Sequence, residues 1–142
     1  METNRPTLTI GILTLNEAPR LQRCIESARF ADEVIVIDSG STDNTVSIAR
    51  QLGAKIIEAS DWQGFAIQRN RLLAQVKTDY VFFLDADEMI NESLAREILT
   101  SLHNKIDIGP GFLFCFFVAL ECFLRYCALG YDSLTSSEPA SR

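Results

Sequence analysis

The chain has one histidine, His103, and four cysteines, at 24, 115, 122 and 127, with no CxxC pair among them. A zinc site needs Cys and His ligands clustered at short spacings, so this sequence excludes one. The thiols are expected to be reduced and mostly buried, as free cysteines commonly are. Basic residues are also few: 13 Lys and Arg stand against 19 Asp and Glu, for a net charge of −6. That excludes the basic patch of a nucleic-acid binder, while leaving room for a few local cations around an anionic ligand. The N-terminus METNRPTLTI has no basic stretch followed by an apolar one, so no signal peptide is expected and the chain reads as cytoplasmic. Long apolar runs are missing too. The stretch GFLFCFFVALECFLRYCALG approaches the ~20 residues of a bilayer span only by including Glu121 and Arg125.

What is there is a rhythm of two periodicities within the first 103 residues. Thr7 to Leu15 is apolar and β-branched and reads as a strand. Asn16 is placed to cap a following helix, with Pro19 tolerated in its first turn and Leu21, Ile25 and Ala28 at helical spacing. EVIVI, from Glu33, is a second strand ending at Asp38. After the loop SGSTD, Asp43 is placed to cap a helix through Val46, Ala49 and Leu52, with Gly53 as its stop. Ala54 to Glu58 is a third strand, and Trp62 to Val76 a helix. Tyr80 to Leu84 is a fourth strand, and Asn91 caps a last helix marked by Leu94, Ile98, Leu99 and Leu102. Alternating strands and helices predict an α/β fold, and near-continuous apolar strands predict a mostly parallel sheet flanked by helices.

From about residue 105 the pattern changes to a Phe- and Cys-rich segment and then the polar YDSLTSSEPASR, which is expected to be disordered. The apolar part has three readings: a helix packed on the sheet, a membrane-associated segment, or a tail foreign to the fold.

In an open parallel sheet, ligands bind beyond the carboxyl ends of the strands. Three polar clusters fall on that edge: Thr14–Glu17, Asp38–Asp43 and Asp85–Glu88, with Gln68, Arg69, Asn70 and Arg71 supplied by the third helix. Paired carboxylates after a buried strand need compensation. Asp85 and Asp87 therefore point to a hard divalent cation, Mg²⁺ or Mn²⁺, bridged to substrate phosphates. Arg69 offers a planar fork to a diphosphate. Ser39, Gly40 and Ser41 let a ligand approach the backbone. Plain structural roles compete. Asn16 and Asp43 are most simply caps, Glu88 a first-turn acid favoured by a helix dipole, Arg71 a surface charge, and Trp62 and Phe65 core residues. For Asp38, ligand contact and loop capping stand even.

Taken together, LTLNE at 13–17, VIVIDSGSTDNT at 34–45, WQGFAIQRN at 62–70 and FFLDADE at 82–88 resemble family 2 glycosyltransferases of the Rossmann-like GT-A fold. The IDSGSTD, WQGF and LDADE forms are most similar to bacterial enzymes that add glucose to the lipopolysaccharide inner core. The resemblance runs from residue 7 to about 103. It implies a nucleotide-sugar-binding domain over 1–104, followed by a 105–142 tail not native to the fold. It implies inverting, metal-assisted transfer from a UDP-sugar to a lipopolysaccharide-type acceptor, and is compatible with peripheral association at the inner face of the inner membrane. Thr14 and Glu17 would lie near the nucleoside and Asp38 at the uridine. Arg69 and Asn70 would lie near the diphosphate, and Asp85 and Asp87, with Asp87 the more direct, at the metal. The family's acceptor half and catalytic base are not found, so no base is named, and the expectation is a truncated or frameshifted chain. Its rival reading is a nucleotide-sugar-binding remnant without turnover. A haloacid-dehalogenase-type phosphatase also carries DxD after a strand, but there it follows the first strand rather than the fourth.

Overall fold

The computed structural model describes residues 5–103. The expected boundary at 104, the segments beyond it, and Cys115, Cys122 and Cys127 lie outside the described residues. The described chain runs β1 (Leu8–Thr14), α1 (Ala18–Ser27), β2 (Glu33–Asp38), α2 (Thr45–Gln51), β3 (Lys55–Glu58), α3 (Phe65–Leu73), β4 (Tyr80–Asp85) and α4 (Glu92–His103). All four strands pair in parallel, in the order β3-β2-β1-β4. The central strand β1 and the second half of β2 are buried on both faces, while the edge strands β3 and β4 are mostly half-buried.

Alternation along each strand divides the core in two. Leu8, Ile10 and Ile12 of β1 join Val36 and Leu84 against Leu21, Cys24 and Ile25 of α1, Ala49 of α2 and Ile98 of α4. On the opposite face Ile35, Ile37 and Val81 pack with Leu72 of α3. The close approach of α3 rests on Gly11. A Cβ there would lie 2.8 and 3.0 Å from the two Leu72 methyl carbons. At the other end of the sheet, the Asp79 carboxylate accepts from the Thr7 N–H and hydroxyl, both at 2.8 Å, fastening the start of β4 to the start of β1.

Several local expectations change. Asn16 does not cap α1, since that position is Glu17. Asn16 adopts φ 54°, and its Oδ1 accepts from the Thr42 N–H at 2.8 Å, so it bridges to the next loop. Asp43 stands one residue before the α2 cap position, Asn44. Its carboxylate accepts from Thr45 N–H at 3.0 Å and, across the loop, from Ala18 N–H at 3.2 Å at the start of α1. Helix α3 begins at Phe65, because Gly64 with φ 99° breaks the chain before it. Trp62 and Phe65 are not core: they are 49% and 60% exposed and meet edge to face at 4.9 Å. Glu88 lies four residues before α4 begins, so it is no first-turn acid. Arg71 is no free surface charge, since its guanidinium grips the Asp61 carboxylate at 2.8 and 2.7 Å. Gly53 at φ 79° follows α2, and Asn91 Oδ1 accepts from Leu94 N–H at 2.8 Å at the start of α4, both as the sequence implies.

Candidate functional site

The parallel register brings the polar clusters to one edge. Thr14 stands opposite Asp38, Leu13 opposite Asp85, and Asp38 opposite Glu58. Strand order reverses between β1 and β4, because the chain winds β1-β2-β3 one way and then returns past β1. A crevice at such a reversal is where open α/β sheets bind ligands. Here its two lips are the loop after β1 and the carboxylate turn after β4.

The β2 side is built around Asp38, which is only 3% exposed. Its Oδ2 accepts from the Gly40 and Ser41 N–H groups at 3.0 and 2.8 Å. Its Oδ1 accepts from the Ser41 hydroxyl and from Thr14 Oγ1, the latter at 3.1 Å. A carboxylate has about four acceptor positions, and four donors already use them. Of the two readings for Asp38, the geometry favours loop organisation. It folds the Ser39–Gly40–Ser41 loop back on itself and ties that loop to β1. Glu17 is positioned by the same region, its N–H donating to Thr45 Oγ1 at 2.9 Å and its carboxylate accepting from Arg20 at 3.1 Å. The Thr45 hydroxyl donates in turn to Asp43. That hydroxyl donation, helped by backbone N–H groups, holds the Asp43 carboxyl below its ordinary range.

On the α3 side, Arg69 lies over the Phe83 ring, 5.4 Å from guanidinium carbon to ring centroid. Its Nε is buried with no hydrogen-bond partner among the described residues. Alternation along β4 puts Asp85 on the same sheet face as Phe83, so Arg69 and Asp85 share that face. Asn70 is the next residue of α3 and is exposed. At the β4 lip, Asp85 is half-buried, while Asp87, Glu88 and Met89 are exposed between buried Ala86 and Ile90. The carboxylates act on one another: burial, and then the charges of Asp85 and Asp87, push the Glu88 carboxyl up. Burial, followed by Glu88, Asp87 and Asp85, pushes the Cys24 thiol beneath the turn up to about 12.

The seven candidates thus fall into groups. Thr14, Glu17 and Asp38 belong to the β1–β2 side, Arg69 and Asn70 to α3, and Asp85 and Asp87 to the β4 turn. Sequence reasoning passed over Thr45 and Ser27, read Ser41 only as a small loop residue and Cys24 only as a buried thiol, and gave Gln68 no individual role. Gln68 is fully buried. Its Nε2 donates to Ser39 Oγ at 3.0 Å and to the Ala59 carbonyl at 2.8 Å, while its Oε1 accepts from Arg71 at 3.1 Å. A polar residue amid apolar helical positions was the available signal.

The profile of glycosyl transferase family 2 matches residues 9–118. The chain belongs to that family. The match runs past residue 104, where motif likeness stops. An uncharacterized glycosyltransferase of Rickettsia felis is 43% identical over 97 residues, covering 66% of this chain and 34% of that protein. SunS, a glycosyltransferase of Bacillus subtilis, is 32% identical over 94 residues, or 64% of this chain and 22% of SunS. The family 2 chain spans about a third of the length of the curated relatives it first matches. Among solved structures, glucosyl-3-phosphoglycerate synthase of Mycobacterium tuberculosis, in complex with Mn²⁺ and UDP-glucose, superposes with a TM-score of 0.61 at 28% identity, over 72% of this chain and 41% of that one. TarS of Staphylococcus aureus shares the fold, with a TM-score of 0.60 at 22% identity over 80% of this chain and 40% of that one. Among the described residues, no helix is long and apolar enough to cross a membrane.

Proposed function

We propose that this family 2 chain binds a UDP-sugar, with glucose as the sugar, together with Mg²⁺ or Mn²⁺, and that it serves inverting transfer to a lipopolysaccharide-type glycan. The observation that carries the proposal is the carboxylate turn at the strand-order reversal, where half-buried Asp85 is followed within three residues by exposed Asp87 and Glu88, and where burial, then the charges of Asp85 and Asp87, raises the Glu88 carboxyl. Such mutual repulsion is what a divalent cation relieves.

The donor set suits that role. Among the described residues, no group of three or more His, Cys, Asp or Glu side chains is arranged as a metal cage. Mg²⁺-type ions are commonly held by one or two carboxylates and completed by substrate phosphates and water. Asp87 and Asp85 would supply those carboxylates. Bound there, the ion supplies Lewis-acid neutralisation of the leaving diphosphate. Arg69, with its Nε unpaired and its plane braced by Phe83, presents a fork to the same diphosphate, and Asn70 lies beside it. Thr14 and Glu17 border the nucleoside, and Asp38 shapes the loop on which the uridine rests. The Mn²⁺ and UDP-glucose bound by the mycobacterial synthase support the donor and metal classes. The lipopolysaccharide acceptor, and the inner-membrane face where such an acceptor would be met, rest on the IDSGSTD, WQGF and LDADE motifs.

The test is calorimetric titration of UDP and UDP-glucose into the chain, with and without Mn²⁺, repeated on Asp87→Ala. Binding that Mn²⁺ strengthens, with the metal effect lost in the variant, is expected. A folded chain that binds neither nucleotide sinks the proposal. Release of UDP from UDP-glucose in the presence of acceptor glycan separates a transferase from a binding remnant.

A further inference from the structure

The three residues Asp87, Glu88 and Met89 bulge into solvent, yet the turn that carries them is fastened at both ends to one helix. At the entrance, the Cys24 thiol of α1 donates to the Asp85 carbonyl at 3.5 Å. At the exit, the Ile90 N–H donates to Ser27 Oγ at 3.1 Å. The Ser27 hydroxyl in turn donates to the Cys24 carbonyl at 2.7 Å. That last bond commits the hydroxyl hydrogen to the helix and leaves an oxygen lone pair facing Ile90. Within the turn, Glu88 N–H closes onto the Asp85 carbonyl at 2.9 Å. Ala86 and Ile90, at 5% and 6% exposure, sink the two feet of the turn into the core.

Repelling carboxylates on an unfastened loop would spread apart. Two contacts from a helix packed under the sheet oppose that spreading without touching the carboxylates. We infer that Ser27 and Cys24 are positioning residues for the metal-binding turn, with Ser27 the principal one. They hold the Asp85–Asp87 spacing ready before a cation arrives. This rests on the donor-site reading above and deepens it, because it separates what holds the metal turn from what holds the nucleotide. Groups that orient metal-binding carboxylates typically affect metal affinity by about 10–100-fold when removed.

The experiment is calorimetric titration of UDP into the full chain, with and without Mn²⁺, for wild type, Ser27→Ala and Ser27→Thr. Thermal unfolding of each confirms folding. Ser27→Ala should lose about tenfold of the affinity that Mn²⁺ adds, at the low end of that range, with metal-free UDP binding unchanged. Ser27→Thr, which keeps a hydroxyl, should retain the wild-type increment. An unchanged Mn²⁺ increment in Ser27→Ala overturns the inference. So does an equal loss with and without metal, which would mark a structural role only. If Ser27→Ala does not fold, Cys24→Ala carries the same comparison, with Cys24→Ser as the variant that keeps a donor. A wild-type chain that binds no UDP at all overturns the donor-site reading itself. Wild-type binding with an unaffected Ser27→Ala overturns only the positioning role.

Discussion

The Gln68 side-chain nitrogen donates to the Ser39 hydroxyl across 3.0 Å, joining residues 29 positions apart. The neighbours leave no choice about which way the amide points. The Ala59 carbonyl can only accept and the Arg71 guanidinium can only donate, so nitrogen faces Ala59 and oxygen faces Arg71. One buried side chain therefore holds the loops after β2 and β3 together. Gln68→Met keeps the approximate shape and removes those bonds. It is expected to lower unfolding stability by about 1–3 kcal/mol, the usual cost of stranding buried polar partners. Amide exchange at Ser39, Gly40 and Ser41 should rise in the variant. Urea unfolding with residue-resolved exchange checks this, and unchanged protection of those three amides would contradict the loop-holding role.

Gly11→Ala tests how α3 meets the sheet. Adding a methyl to a strand glycine would ordinarily help by reducing backbone freedom in the unfolded chain. Here the new Cβ would lie 2.8 Å from a Leu72 methyl, so overpacking should win, at about 1–3 kcal/mol. Leu72→Ala alone leaves a cavity and should also destabilise, by about 2–5 kcal/mol. The double variant should then lose less than the sum of the two, because each change relieves the other. Denaturant midpoints for the four proteins decide it, and strict additivity would show that the two side chains do not compete for space.

Asp79 links pH to stability. The backbone N–H of Thr7, followed by its hydroxyl, holds the Asp79 carboxyl below its ordinary value of 3.8. Its folded pKa is below its unfolded one, so its contribution is fully present above the unfolded pKa. The contribution is lost as pH falls through the folded pKa. Asp79→Asn should therefore be less stable than wild type at neutral pH, and the difference should shrink on acidification below about pH 3.9. Urea unfolding across that range measures it, and a difference that holds constant into acid would rule out Asp79 as the source.

The element order was legible because buried parallel strands need unbroken apolar runs, and EVIVI and VFFL have them. The rim placement of Thr14, Asp38 and Asp85 followed from topology alone. What stayed hidden depends on contacts across the sequence. Asn16 reads as a cap because nothing local reveals Ser41 and Thr42, 25 and 26 positions away, as its partners. Trp62 and Phe65 read as core because apolar type was taken for burial, and the break at Gly64 looked like one glycine in a helical pattern. Ser27 and Cys24 meet the carboxylate turn across 63 and 61 positions, and no spacing rule reports that.

The strand order also fixes how much chain each pairing must close. β2 pairs with β1 across one helical crossover, Thr9 standing opposite Glu33, 24 positions away, and β3 adds to β2 after the next helix. β4 reaches β1 only through pairs such as Leu8 with Tyr80, which close a far longer loop. Long-range pairings carry the larger entropic delay in folding. A ribosome making this chain finishes β1, β2 and β3 before the first residue of β4 exists. The acidic turn is thus synthesised after the three strands that it joins, with α4 following it among the described elements.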